Sequence, residues 1–172
     1  MGARSPVIMG ILNLTPDSFS DGGQFDSVQS AVQAATAMVA HGAQIIDVGG
    51  ESTRPGAERI SLEVELERVI PAIEQLSLKG IYVSIDTMRA EVAKAAVDAG
   101  AQMVNDVSGG LSDPHMLTTV ARLGVPIVLM HWRGPSKTMQ ENIHYANAVT
   151  EVCAELHSVA KAAQLAGIES GN

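Results

Sequence analysis

Five segments of this 172-residue chain set side chains capable of chemistry beside glycines or strand-like runs. Asn13-Leu14-Thr15-Pro16-Asp17-Ser18-Phe19-Ser20-Asp21-Gly22-Gly23 carries an amide and two acids and closes on paired glycines. Gly49-Gly50-Glu51-Ser52-Thr53-Arg54-Pro55-Gly56 puts a hydroxyl and a guanidinium among glycines that let the backbone come close to a ligand. The Arg54 fork of donors suits a carboxylate or a phosphate. Ser84-Ile85-Asp86-Thr87 and Asn105-Asp106-Val107-Ser108-Gly109-Gly110 follow. A carboxylate such as Asp86 accepts two parallel N–H bonds from an amino-pyrimidinone edge, and an amide such as Asn105 both donates and accepts beside it. Together they match a guanine-like or pterin ring. Leu129-Met130-His131-Trp132-Arg133 sets an imidazole at the end of a strand-like run.

Each segment has a plainer reading. The first is a solvated turn, the second a loop with a surface arginine, and Asp86 a cap for the helix that follows it. Asn105 with its glycines is an ordinary turn. His131 is a structural histidine bonded to a neighbouring loop, and Asp47 a hydrogen-bonded structural acid.

The elements that must position these residues are marked by glycine. Helical stretches end at Gly42, Gly80, Gly100, Gly124 and Gly167, where the left-handed conformation costs nothing for want of a Cβ. Apolar runs begin at once after the first four: Gln44 to Val48, Ile81 to Ile85, Met103-Val104 and Pro126 to Met130. Val7 to Leu12 supplies an earlier strand. Helical spacing covers Val28 to His41, Leu62 to Leu78, Arg89 to Ala99, a helix opened by Asp113-Pro114 as N-cap and first turn, and Asn142 to Ala166. Nearly continuous apolar strands alternating with helices predict an α/β chain with a parallel, helix-covered sheet. Asn13, Glu51, Asp86, Asn105-Asp106 and His131 fall at the ends of consecutive strands. That pattern favours a (β/α)8 TIM barrel, whose chemistry sits at every strand end, over a doubly wound sheet with one switch point.

The net charge of −8 argues against nucleic acid as a partner, and an aromatic content of 3% against base stacking. No run of about 18 apolar residues predicts a membrane span. Met1 to Pro6 contains no apolar signal segment, which suggests a cytoplasmic protein. A lone cysteine, Cys153, forms no internal disulfide and is expected to pack inertly in its helix.

Taken in order, the first four segments resemble the signatures of the dihydropteroate synthase family, a group of pterin-binding TIM barrels. The second match extends from Asp47 to Gly56, and the resemblance covers essentially the whole chain. It implies a transferase of folate biosynthesis that condenses 6-hydroxymethyl-7,8-dihydropterin diphosphate with p-aminobenzoate. By resemblance, Asp86 and Asn105 hold the pterin, Val107 and Met130 line its pocket, and Thr53 and Arg54 contact diphosphate or p-aminobenzoate. Phe19, Ser20 and Asp21 belong to a p-aminobenzoate loop, and Asn13 ligates Mg²⁺ on the diphosphate. Asp86 and Arg54 are the expected catalytic groups: one beside the electron-poor ring, the other on the departing charge. The family is homodimeric and the target of sulfonamides. The alternatives are a pterin-dependent methyltransferase domain and a non-catalytic pterin-binding paralogue.

Residues 1–172 are expected to form a single, incomplete barrel domain of about five βα units, cut before strand six. The family's later signatures, an aspartate-proline-glycine stretch, a lysine and an arginine-x-histidine, fall outside it. The 172 residues alone are therefore expected to make no dihydropteroate in an assay with both substrates and Mg²⁺; product formation would overturn this.

Overall fold

The computed structural model describes residues 6–15, 24–141 and 143–171. Strands and helices alternate in five units: β1 (Met9–Asn13), α1 (Gln24–Ala40), β2 (Ile45–Gly49), α2 (Leu62–Leu78), β3 (Val83–Asp86), α3 (Ala90–Asp98), β4 (Met103–Asp106), α4 (Met116–Leu123), β5 (Ile127–Leu129) and α5 (Ala148–Leu165). All pairings are parallel, and the sheet order is β1-β2-β3-β4-β5. Sequential order with no reversal is that of successive units of a (β/α)8 barrel. A doubly wound sheet reverses direction at its switch point, so that alternative is excluded.

Strand geometry divides each strand between two environments, because successive side chains point to opposite faces. One face carries Leu12, Ile46, Val48, Val83, Ile85 and Val104, all buried beneath the helices. Burying each of these side chains contributes about 1.5–3 kcal/mol. The opposite face carries Ile11, Asn13, Asp47, Ser84, Asp86, Asn105 and Val128. The covering helices pack on one another in chain order. At β1 the fit is close: a Cβ added at Gly10 would lie 2.9 Å from Met38 Sδ of α1.

The five helix-ending glycines all have positive φ, from 68° at Gly124 to 109° at Gly100. Three helix starts differ from expectation, and the first is α1, which begins at Gln24, four residues before Val28. Helix α4 begins at Met116, not at Asp113-Pro114, and its N-cap residue His115 makes no side-chain cap bond. Asp113 instead accepts from the backbone N–H of Ala90 at 2.8 Å, so it caps α3, whose own N-cap residue Arg89 supplies none. Its other oxygen takes the His115 N–H at 2.9 Å. Helix α5 begins at Ala148 behind the N-cap Asn147, whose side chain accepts from Thr150 N. The preceding residues are held elsewhere: the Arg133 guanidinium donates to the His144 carbonyl at 2.9 Å and lies 3.9 Å from the Tyr145 ring centroid. Cys153 is exposed on α5 rather than packed. Its helical spacing left its face unspecified, and the fold turns that face to solvent.

Asp113 thus joins the β4–α4 loop to the start of α3, the helix that follows the Asp86 strand. Replacing it with alanine strands two N–H groups and is expected to cost about 1–2 kcal/mol of stability in denaturant unfolding. A loss confined to α4 would contradict this assignment.

Candidate functional site

Parallel register draws the polar strand ends into one row. Asn13 is opposite Gly49, Gly49 opposite Asp86, Asp86 opposite Asn105, and Asn105 opposite Val128. Partners in register share a face, so this row lies on the side of the sheet away from the helices. The absent side chain of Gly49 matters here. A Cβ at that position would sit 3.4 Å from Asp86 Oδ2 and 3.7 Å from Asn13 Oδ1, so glycine is what leaves space between these two oxygen groups. One residue pair earlier runs a second row, Ile11, Asp47, Ser84 and Met103.

Asn105 Nδ2 donates to Asp47 Oδ2 at 2.9 Å, a bond that passes over β3 to join β4 to β2. The expectation of a hydrogen-bonded acid at Asp47 agrees with this bond. It also uses one N–H of Asn105 and leaves the amide oxygen as an acceptor. Around this bond the site is rich in acceptors. Asp47 Oδ1, Ser84 Oγ and Asp86 Oδ1 are buried with no hydrogen-bond partner among the described residues. Burial pushes the Asp86 carboxyl up from its ordinary 3.8 to about 7, and the negative charges of Asp47, Asp106, Glu65 and Glu51 add to the effect. A group of this kind takes a proton near neutrality, or takes N–H donors from a ligand instead. Asp86 caps no helix, since the first N–H of α3 is met by Asp113.

Asp106 faces the helix side and organises the next loop. It accepts from Ser108 N at 2.8 Å, Ser108 Oγ at 2.7 Å and Gly110 N at 2.7 Å. Its carboxyl is also held above the ordinary range by burial. The turn needs Gly109, whose φ is 63° and where a Cβ would come within 2.9 Å of the Met130 carbonyl. Val107 is half-buried in this turn, and Met130 is 43% exposed just beyond β5. Asn13 is exposed at the end of β1.

Thr53 is half-buried and Arg54 exposed in the loop between β2 and α2. The Arg54 guanidinium forms no ion pair or hydrogen bond with a described residue, whereas Arg59, Arg68, Arg89 and Arg133 are all engaged. Phe19, Ser20 and Asp21 lie outside the described residues. His131 bonds Glu155 of α5 at 2.7 Å, and Glu155 also pairs with Arg133, so this histidine is spent on fastening the β5–α5 loop. Among the described residues, no group of three or more His, Cys, Asp or Glu could hold a metal. The Asn13 oxygen, open beside Gly49, is a hard donor of the kind that suits Mg²⁺ sharing phosphate oxygens and water.

Sequence reasoning named Glu51 at its strand end but passed over the polar cluster to which it belongs. Glu65 is fully buried in α2, where Thr87 Oγ1 donates to it at 2.6 Å and Arg89 pairs with it. Glu51 is buried as well and accepts from Arg59 Nε at 3.1 Å, Ile60 N at 3.1 Å and Arg89 Nη1 at 3.0 Å. The missed signal was position: Glu65 falls in the buried stripe of α2 with Val69, Ile73 and Leu76, where a charge is rarely found unpaired.

The chain from residue 9 to residue 172 matches the family model described as pterin binding enzyme. It is 51% identical over 170 residues to the dihydropteroate synthase of Mycobacterium leprae, covering 98% of this chain and 60% of that protein. A solved Xanthomonas albilineans dihydropteroate synthase with 4-aminobenzoic acid is similar at 47% identity and a TM-score of 0.86, over 95% of this chain and 58% of that one. The same organism's enzyme in complex with 7,8-dihydropteroate matches at 42% identity and a TM-score of 0.81, over 95% of this chain and 57% of that one. This chain thus spans about three fifths of the length of these relatives.

The Asp86 environment has a consequence for stability. The folded chain keeps the proton to about pH 7, while an unfolded chain releases it near 3.8. Stability is therefore greatest below the lower value, declines as pH rises between the two, and stays level above the upper one. The loss is on the order of a few kcal/mol. Asp86→Asn, which cannot ionise, is expected to raise the thermal midpoint by several degrees at about pH 8 and by less at about pH 5. Equal shifts at the two pH values, or a loss of stability at the higher one, would contradict the geometry.

Proposed function

The chain belongs to the pterin-binding enzyme family, and from that premise we propose that it forms part of a dihydropteroate synthase, a transferase joining a dihydropterin diphosphate to p-aminobenzoate. The observation that carries this reading is the set of buried acceptors at Asp47, Ser84 and Asp86 beside the Asn105 amide. An amino-pyrimidinone edge offers the complementary N–H donors, and burial makes each such bond worth more than it is in water. The 4-aminobenzoic acid and dihydropteroate held by the solved relatives support the choice of substrates.

In this reading the roles follow from position. Asp86 and Asn105 orient the ring, with Val107 and Met130 against it. Ionised Asp86, accepting from the ring, places negative charge beside a centre that becomes electron-poor. Arg54, exposed and without a partner among the described residues, meets the diphosphate or the carboxylate of p-aminobenzoate, with Thr53 as its neighbour. Phe19, Ser20 and Asp21 belong to the p-aminobenzoate site. The methylene C–O bond breaks with its electron pair going to diphosphate, the arylamine nitrogen supplies the pair for the new C–N bond, and that nitrogen loses a proton. No side-chain nucleophile is needed. Asn13 would give one oxygen ligand to Mg²⁺, whose chemistry when bound is to offset diphosphate charge.

The same reading carries a homodimeric, cytoplasmic enzyme that is a target of sulfonamides. Among the described residues no helix is long and apolar enough to cross a membrane.

The test uses the full-length protein that contains this sequence, assayed for dihydropteroate with both substrates and Mg²⁺. Asp86→Ala is expected to lower kcat/KM by about a hundredfold or more, and Arg54→Ala by on the order of tenfold to a hundredfold. An active parent whose rate is untouched by Asp86→Ala removes that residue from the site, and an inactive parent removes the reading.

A further inference from the structure

The loop that presents Thr53 and Arg54 is closed at its neck by buried charge. It opens at Glu51 and ends at Ile60, and the two ends are joined because Ile60 N donates to Glu51 Oε2 at 3.1 Å. Arg89, from the turn after β3, grips both sides of that neck. Its Nη1 donates to Glu51 Oε2 at 3.0 Å, and its Nη2 donates to the Ile60 carbonyl at 2.5 Å. Nη1 also pairs with Glu65 of α2. Glu65 in turn accepts from Thr87 Oγ1 at 2.6 Å, and the same hydroxyl oxygen accepts from Arg89 N at 3.1 Å. Thr87 is the residue after Asp86.

The outlying contacts of the loop are weaker. Gly56 N donates to the Ser136 carbonyl at 2.8 Å, Arg59 Nη1 donates to Ser112 Oγ at 3.0 Å, and an exposed ion pair joins Lys137 to Glu58. An exposed pair of that kind contributes little. The neck is the strong attachment, since the side chains of Arg89, Glu51 and Glu65 are 18%, 6% and 1% exposed and their bonds are charge-assisted.

We propose that Arg89 is a positioning residue: a clasp on the neck of the β2–α2 loop that sets Thr53 and Arg54 at a fixed distance from Asp86. It touches neither substrate. Its effect passes through Glu51 and Ile60 to the loop, and through Glu65 and Thr87 to the Asp86 strand end. A guanidinium fits this role because three acceptors in different directions must be met by one planar group, which an ammonium on a flexible stem does not do. The inference rests on the proposed synthase reading, in which the anion-binding loop and the ring-binding strand must act on one substrate.

The experiment uses Arg89→Met and Arg89→Lys in the full-length protein. Hydrogen exchange is followed in the peptides covering residues 50–61 and in the strands. Kinetics use the pterin diphosphate and p-aminobenzoate, and binding is measured with 6-hydroxymethylpterin, which lacks diphosphate. For Arg89→Met we expect faster exchange in residues 50–61 with strand protection kept. We also expect kcat/KM for the pterin diphosphate to fall by on the order of tenfold to a hundredfold, while affinity for 6-hydroxymethylpterin stays within about twofold. Arg89→Lys, which keeps a cation beside Glu65, is expected to lie between Arg89→Met and the parent. If Arg89→Met does not fold, Arg89→Lys decides the matter alone, and exchange and kinetics equal to the parent's would overturn the clasp. Loss shared equally by 6-hydroxymethylpterin binding would also overturn it, because that is the mark of general damage to the fold. A parent that forms no dihydropteroate would remove the synthase reading but leave the exchange result to judge the clasp.

Discussion

Parallel register is the constraint on which the rest of this structure depends. Each strand lends one face to the helices and the other to the interior, and register decides which residues of different strands stand side by side. Asn13, Gly49, Asp86 and Asn105 are far apart in the chain, yet they form a single row. A slip of one residue in any strand would send its polar group beneath the helices and turn Leu12, Val48, Ile85 or Val104 into the interior. The apolar core and the polar site are therefore specified by the same alternation, and neither can change register alone.

That arrangement carries an electrostatic cost which the site uses. Asp86 is set in a low-dielectric interior among Asp47, Asp106, Glu65 and Glu51, and its carboxyl is pushed to about 7. Arginine does not answer it: Arg89 and Arg59 are committed to Glu51 and Glu65, and Arg54 is exposed. A buried acceptor with no donor among the described residues favours a ligand that brings N–H groups. The conflict between stability and binding is local, as is usual where a fold keeps a functional group in poor surroundings.

Division of labour among the charges separates the two halves of the site. The Asp47–Asn105 bond ties β2 to β4 across β3, beside Asp86. The Glu51–Arg89–Glu65 cluster holds the loop above them. His131, Arg133, Glu151 and Glu155 form a third cluster that fastens the β5–α5 loop to its helix. Two loops, β2–α2 and β5–α5, are thus anchored at their bases by buried or half-buried ion pairs, while a hydrogen bond between strands braces the sheet beside them.

Much of this was legible in the chain itself. Glycine after each helix, apolar runs after each glycine, and polar residues at successive strand ends were enough to read five βα units and to nominate Asn13, Asp86 and Asn105, because these signals are local and periodic. Arg54 was nominated because its fork of donors suits a carboxylate or phosphate, although a surface arginine in a loop fits the same residues. What only the tertiary structure decided depends on partners distant in sequence. Asp113 caps α3 rather than its own helix because folding brings the β4–α4 loop over the start of α3. Glu65 and Arg89 became visible as a pair only when α2 packed against the turn after β3, which lies 24 residues away in the chain. The state of Asp86 followed from burial and from four acids on other elements, and no reading of Ser84-Ile85-Asp86-Thr87 alone contains those distances. Local sequence sets which face and which turn a residue occupies; the environment that gives it its chemistry is assembled by long-range packing.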